Sequence, residues 1–272
     1  MKKLSSYQHL FIYLFVIVLA FSSCTKKSSN EIPQVVVDKP LVYEPPYYWT
    51  VVENCITENN NNNYDNSGIQ HNLAMEAIQN AFTNDMDTSD IFYISDSILV
   101  AEYGSYLGEN YTCKPLAQEV LSAIENDDLD GLINDLDISL LQKTELNNLI
   151  EIMSEYDVSN YAIIIGDIKY FEDSLIEIHS DEDIMIILQA SAIARYSMAY
   201  WHDMLTDETK SDNAKAKKIW KKIFIGVMDA IGGGVAAATT SLTGPGCIAA
   251  GIAGGVGTSA AAATVWKVMA EK

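Results

Sequence analysis

Apolar positions in residues 164–178 recur at steps of four and three: Ile164, Ile168, Phe171, Leu175 and Ile178. That spacing puts them on one side of an α-helix, and it is the clearest amphipathic run in the chain. A looser version of the same period predicts helices over 69–82, with Ser67 as cap, over 89–107, and over 116–125, where Pro115 suits the first turn. Leu146, Leu149, Ile150 and Met153 mark another helical face. Ser180, with Asp183 three residues on, forms a capping box and opens a long helix to about Leu205. Its inner face would be Ile184, Leu188, Ser191, Ala194, Met198 and Trp201. Strict alternation of apolar and polar residues persists nowhere in residues 67–209, so this part is expected to be an all-α, irregular helical bundle.

The pattern changes over residues 219–267, where two apolar arms meet at Gly244-Pro245-Gly246. Steps of four pick out Gly226, Ala230, Gly234 and Ala238 on the first arm, and Cys247, Gly251, Gly255, Ser259 and Ala263 on the second. Small residues four apart give a smooth strip along which two helices approach closely, as helices do in membranes. Glycine costs about 1 kcal/mol against alanine inside a helix in water, so this many need an offset in packing. Trp220 with Lys221 and Lys222, and Trp266 with Lys267, suit a membrane boundary. Asp229, inside the first arm, argues against deep insertion. Two readings stay open: a hairpin that contacts or enters a bilayer, and one buried against the rest of the chain. The stretch resembles the glycine-zipper segments of bacteriocin-like and other membrane-active peptides.

Residues 1–23 read as a targeting segment: Lys2 and Lys3, an apolar run over 10–21, then Ser22 and Ser23. The stretch Leu19-Ala20-Phe21-Ser22-Ser23-Cys24 resembles a bacterial lipoprotein signal with a relaxed lipobox, Phe21 standing where an aliphatic residue is usual. That resemblance implies a lipid on Cys24 as the first mature residue. No Asp follows Cys24, and no acidic cluster of the kind that resembles surface export in some Bacteroidetes lipoproteins, so the expectation is the periplasmic face of the outer membrane. Residues 24–66 carry Pro33, Pro40, Pro45, Pro46 and the run Asn59–Asn63, and are read as an extended tether. The division is therefore 1–23 signal, 24–66 tether, 67–209 acidic helical domain and 210–272 hairpin.

Charge sharpens the division. The chain has 17 Lys+Arg against 37 Asp+Glu, a net of −20. From Lys210 onward eight lysines oppose three acids, so an acidic body carries a basic tail. Such a body repels nucleic acid, while the lysines of 210–222 attract anionic lipid or the body itself.

Candidate chemistry is sparse. Asn126, Asp128, Asp130 and Asp137, with Gly131 at the turn, follow the spacing of a calcium loop and resemble an EF-hand or dockerin-type loop over these residues alone. The alternative is an acidic helix–helix turn. His71, His179 and His202 make no metal-binding pair and are expected on the surface. Arg195, the sole arginine, is expected to pair with carboxylates, with Tyr196, Tyr200 and Trp201 as core and rim aromatics. Cys55 and Cys113 are the one disulfide considered, and Cys247 reads as a small apolar side chain. No catalytic residue and no cofactor is assigned. The expected function is non-enzymatic: an envelope lipoprotein touching membrane through Cys24, and membrane or a protein partner through its hairpin. The alternatives are a bacteriocin-like toxin or immunity protein, and a soluble structural or interaction module with a buried hairpin.

Overall fold

The computed structural model describes residues 56–81, 88–126, 128–154, 161–206, 229–238 and 245–270. This part is 86% helical, with no strand among the described residues, so the chain is all-α. The helices in order are α1 (Asn66–Ala81), α2 (Thr88–Leu107), α3 (Lys114–Glu125), α4 (Leu129–Asp135), α5 (Leu140–Ser154), α6 (Tyr161–Ile178), α7 (Asp181–Thr206), α8 (229–238) and α9 (Pro245–Ala270).

Local chemistry fixes several ends. Ser180 Oγ donates to Asp183 Oδ2 at 2.6 Å, and the Asp183 amide donates to the Ser180 carbonyl at 3.0 Å, opening α7. Ser139 and Gln142 make a reciprocal box at α5: the Gln142 amide donates to Ser139 Oγ at 3.2 Å, and the Ser139 amide to Gln142 Oε1 at 3.1 Å. Gly108, at φ 91, ends α2 in the left-handed region, where a side chain would be strained.

Two helices run through the interior. α7 is buried without a break over residues 186–201, so the inner face expected from sequence is only part of its contact surface. In α9 the described residues from 246 to 260 are buried, apart from the partly buried Ile248. A helix covered on all sides is a core helix, not an amphipathic one. α9 packs on α1, α2, α3 and α7. One apolar cluster gathers α4, α5, α6 and α8 around α7, including Leu149, Ile168 and Ile187. A second gathers α1, α2 and α3 around α9, including Met75, Leu99 and Val256. α7 and the hairpin join the two clusters. α1 crosses α7 closely at Gly68, where a Cβ would lie 2.6 Å from the Ala192 carbonyl oxygen.

Residues 56–66, expected as the end of an extended tether, are folded instead. Thr57, Asn59 and Asn62 are buried, and successive turns (Asn62 amide to Asn59 carbonyl, Asp65 amide to Asn62 carbonyl, both 3.0 Å) lead directly into α1.

Candidate functional site

The hairpin seat is built from glycine. A Cβ on Gly233 would lie 3.2 Å from the Gly251 carbonyl oxygen, and one on Gly251 would lie 3.4 Å from the Gly233 carbonyl oxygen and 3.6 Å from the Ala237 Cβ. Gly254 and Thr258 continue this seam against Gly232 and Ala236. On the first arm the seam is therefore Gly232, Gly233, Ala236 and Ala237, not the strip expected from steps of four. Of that strip, Gly226 lies outside the described residues. Ala230 borders an apolar crevice with Ile133, Leu146 and Leu149. Gly234 faces Leu146 and Ala190, and Ala238 packs on the same cluster. These residues meet the body rather than the second arm. Both faces of the arm are small, so size alone did not say which would meet its partner. On the second arm Gly251 lies on the seam, while Gly255 and Ser259 meet His71 and Asp229; the side chain of Ala263 lies outside the described residues. Among the described residues no helix is long and apolar enough to cross a membrane.

Asp229 sits at the start of the described part of α8, fully buried. Ser197 on α7 and Ser259 on α9 each donate a hydroxyl to its carboxyl, one to each oxygen. The Trp201 indole N–H is turned to the same group and favours its charge without reaching good hydrogen-bond geometry. His71 of α1 brings Nε2 to 3.6 Å from Asp229 Oδ2. Its Nδ1 is 3.0 Å from Asn72 Oδ1. His71 was expected at the surface; it is fully buried, because Gly255 leaves room for its ring and Gly68 lets α1 approach α7. Burial pushes Asp229 up to about 8, against the serine and indole donors, and pushes His71 down to about 4. Each is driven toward its neutral form. Both serines hydrogen-bond to the carboxyl, and Ser197, Ser259, His71 and Asp229 are all fully buried, so no hydroxyl of this group is open to solvent.

A second polar group is centred on Arg195, which pairs with carboxylates as expected. Its Nη2 is 2.5 Å from Asp65 Oδ1 and 3.1 Å from Glu172 Oε1, and its Nε donates to Glu172 Oε1 at 3.2 Å. The asparagine run closes over it. Asn59 Nδ2 donates to Glu172 Oε2 at 2.7 Å, and Asn62 Nδ2 to Glu172 Oε1 and the Leu188 carbonyl, both at 2.9 Å. Ser191 Oγ donates to Glu172 Oε1 at 2.5 Å, and Tyr196 Oη to Asp65 Oδ2 at 2.8 Å. Burial raises Glu172, opposed by Arg195 and by the Ser191, Asn59 and Asn62 donors. For Arg195, burial works against the charge and the two acids outweigh it, so the guanidinium stays charged. Sequence reasoning missed the asparagine run as a ligand of this group. The available signal was its amide donors close in sequence to Asp65, in a chain with a single arginine.

Other expected groupings are not brought together. Asn126 Nδ2 is turned to the Ser122 carbonyl at 2.7 Å. Asp128 folds over Gly131, and α4 begins at Leu129, where a calcium loop needs open backbone. Asp128, Asp130 and Asp137 are exposed, and no group of three or more metal-binding side chains occurs among the described residues. The segment is the acidic helix–helix turn, with one short helix in it. His202 stacks on Tyr161 at 3.9 Å between ring centres. Tyr196, Tyr200 and Trp201 are core residues. Cys113 and Cys247 are free and buried; the Cys55–Cys113 pairing considered from sequence falls on Cys55, which like Cys24 lies outside the described residues. Cys247 Sγ lies 3.6 Å from the Ala237 carbonyl oxygen, bridging the two arms. No protein-family model, no curated protein and no solved structure matches the chain.

Proposed function

We propose that this chain is a non-enzymatic envelope lipoprotein that stores a small-residue helical hairpin inside an acidic helical body and delivers it to a bilayer. The observation that carries the proposal is the burial of α9 against α1, α2, α3 and α7, with glycine-lined contact to α8. Glycine and alanine give the hairpin a narrow cross-section, so it fits inside a bundle and leaves few deep knobs holding it there. The lipid on Cys24, facing the periplasm from the outer membrane, would keep the body near its target. The lysines of 210–222 would supply attraction to anionic headgroups. The wholly buried Asp229 and His71, with serines turned to the carboxyl, support a non-enzymatic role.

The burial of α9 equally favours a second reading, a structural or interaction module whose hairpin stays in place. One experiment separates the two. A Cβ on Gly234 would lie 3.5 Å from the Ala190 Cβ, within disulfide range, so Ala190→Cys with Gly234→Cys ties α8 to α7. Residues 25–272 are floated with anionic and neutral vesicles. Delivery predicts flotation of the reduced double variant and of wild type, and none of the oxidised form. Absence from the lipid fraction in every state gives the hairpin a permanent structural place.

A further inference from the structure

The His71–Asp229 contact lies where four helices meet, and it holds the one acid in the described part of the hairpin. Asp229 is contributed by α8, His71 by α1, Ser197 and Trp201 by α7, and Ser259 by α9. Gly255 of α9 backs the imidazole, since a Cβ there would lie 3.0 Å from His71 Cδ2. Nothing else ionisable touches the carboxyl among the described residues. Arg195, two residues before Ser197, is turned to Asp65 and Glu172. Cys113 meets α9 at Gly257, and burial raises its thiol, so it stays protonated while the pair titrates.

We propose that the single titratable proton kept by the buried His71–Asp229 pair is the latch of the hairpin, and that its loss to solvent frees α8 and α9 from the body. This deepens the stored-hairpin reading and rests on it for its biological use, though not for its chemistry. The folded pair holds one proton, whether it resides on the carboxyl or the imidazole. Two neutral groups carry it as Asp-COOH and imidazole; an ion pair carries it as carboxylate and imidazolium. Loss of that proton leaves a carboxylate sealed from water with hydroxyl donors and no cation.

The sign follows from the two groups together. Opened to water, the acid titrates near 3.8 and the imidazole near 6.5. Between those values the open pair also holds one proton, on the imidazole, so opening does not depend on pH. Above 6.5 the open pair has lost its last proton, while the closed pair keeps one until about 8. Closure takes up one proton in that window, so the opening constant rises about tenfold per pH unit and then levels off.

The test is native-state hydrogen exchange of α9 amides from pH 5 to 9, wild type against Asp229→Asn, so that intrinsic amide rates cancel in the ratio. The latch predicts a ratio of opening constants, wild type over variant, that climbs about tenfold per pH unit from pH 5 to about 8 and then levels: above about 6.5 wild type loses its last proton on opening, and below that value the variant's buried imidazole favours opening. A ratio constant across the range overturns it. His71→Gln gives an independent reading if Asp229→Asn folds poorly. Without the imidazole, the rise should begin near pH 4 and still end near 8; an unchanged onset overturns the proposal. Flotation at the same pH values with phosphatidylethanolamine–phosphatidylglycerol vesicles separates the two claims. Opening without lipid capture leaves the latch in place and removes the delivery reading. Capture with no pH dependence of opening does the reverse.

Discussion

Gly232 and Gly254 face each other with no room for a side chain: a Cβ on Gly232 would lie 2.7 Å from the Gly254 carbonyl oxygen. On the other side of the contact, a Cβ on Gly254 would fall on the Gly232 carbonyl and the Ala236 methyl. Backbone cannot swing aside as a flexible side chain can. Gly254→Ala should therefore destabilise the protein by about 1–3 kcal/mol, although alanine is the better helix former. Gly166→Ala is the contrast. That glycine is exposed on α6 with open space around it, and the change should stabilise by about 0.5–1 kcal/mol. Urea unfolding of the two variants should move in opposite directions.

Arg195 and Glu172 are both buried, and neither charge has water to fall back on. Arg195→Met should cost about 3–5 kcal/mol, because it leaves Glu172 with hydroxyl and amide donors only. Adding Glu172→Gln to Arg195→Met should recover part of that loss. Denaturation of both single variants and the double variant measures this; strict additivity would mean the two side chains act separately.

Within the asparagine run, burial decides the effect. Asn62→Ala removes donors to Glu172 and to the Leu188 carbonyl, both out of water, and should cost about 1–3 kcal/mol. Asn61 is exposed and donates to Asp173 at 3.1 Å, and its loss should stay within about 0.5 kcal/mol. Equal effects in thermal unfolding would make the run a plain spacer.

Ser259 stabilises the charged form of Asp229 by donating to it. Ser259→Ala should leave the carboxyl protonated to higher pH than wild type. The loss of stability between about 6.5 and about 8 should then extend upward. Urea midpoints measured across this range report the upper limit directly. A limit that moves down would mean the hydroxyl favours the neutral acid.

Calcium at millimolar concentration should give no binding heat and no change in melting temperature. Asn126 is turned to Ser122, and helix α4 occupies the segment that would have to wrap the ion.

The helices were legible because their signals are local. Ile164, Ile168, Phe171 and Leu175 fall on the buried side of α6 as their spacing requires, while Ile178, the last of that run, is exposed at the helix end; Ser180 with Asp183 opens α7 as a capping pair should. Arg195 was legible by elimination, being one guanidinium in an acidic chain. His71 was not. A histidine among Gln70, Asn72 and Asn80 reads as solvated, and only the arrival of Asp229 and Gly255 from the far end of the chain encloses it. The asparagine run failed for the opposite reason: its composition is that of a linker, and its partners lie more than a hundred residues away. The seam of the hairpin was half legible. Small residues announced a close contact, but two neighbouring faces of the first arm were equally small, and the body decided which one it took.

The grip of Asn59 and Asn62 on Glu172 also has a mechanical consequence. With the chain fixed at a point upstream of residue 56, tension does not arrive first at α1. It is received by amide–carboxylate bonds on α6 and by the Arg195–Asp65 contact on α7, which resist as a group. The upstream segment can be pulled taut while α1 and the hairpin behind it stay unloaded. Forces at the attachment point are thereby kept apart from the contacts that hold α9.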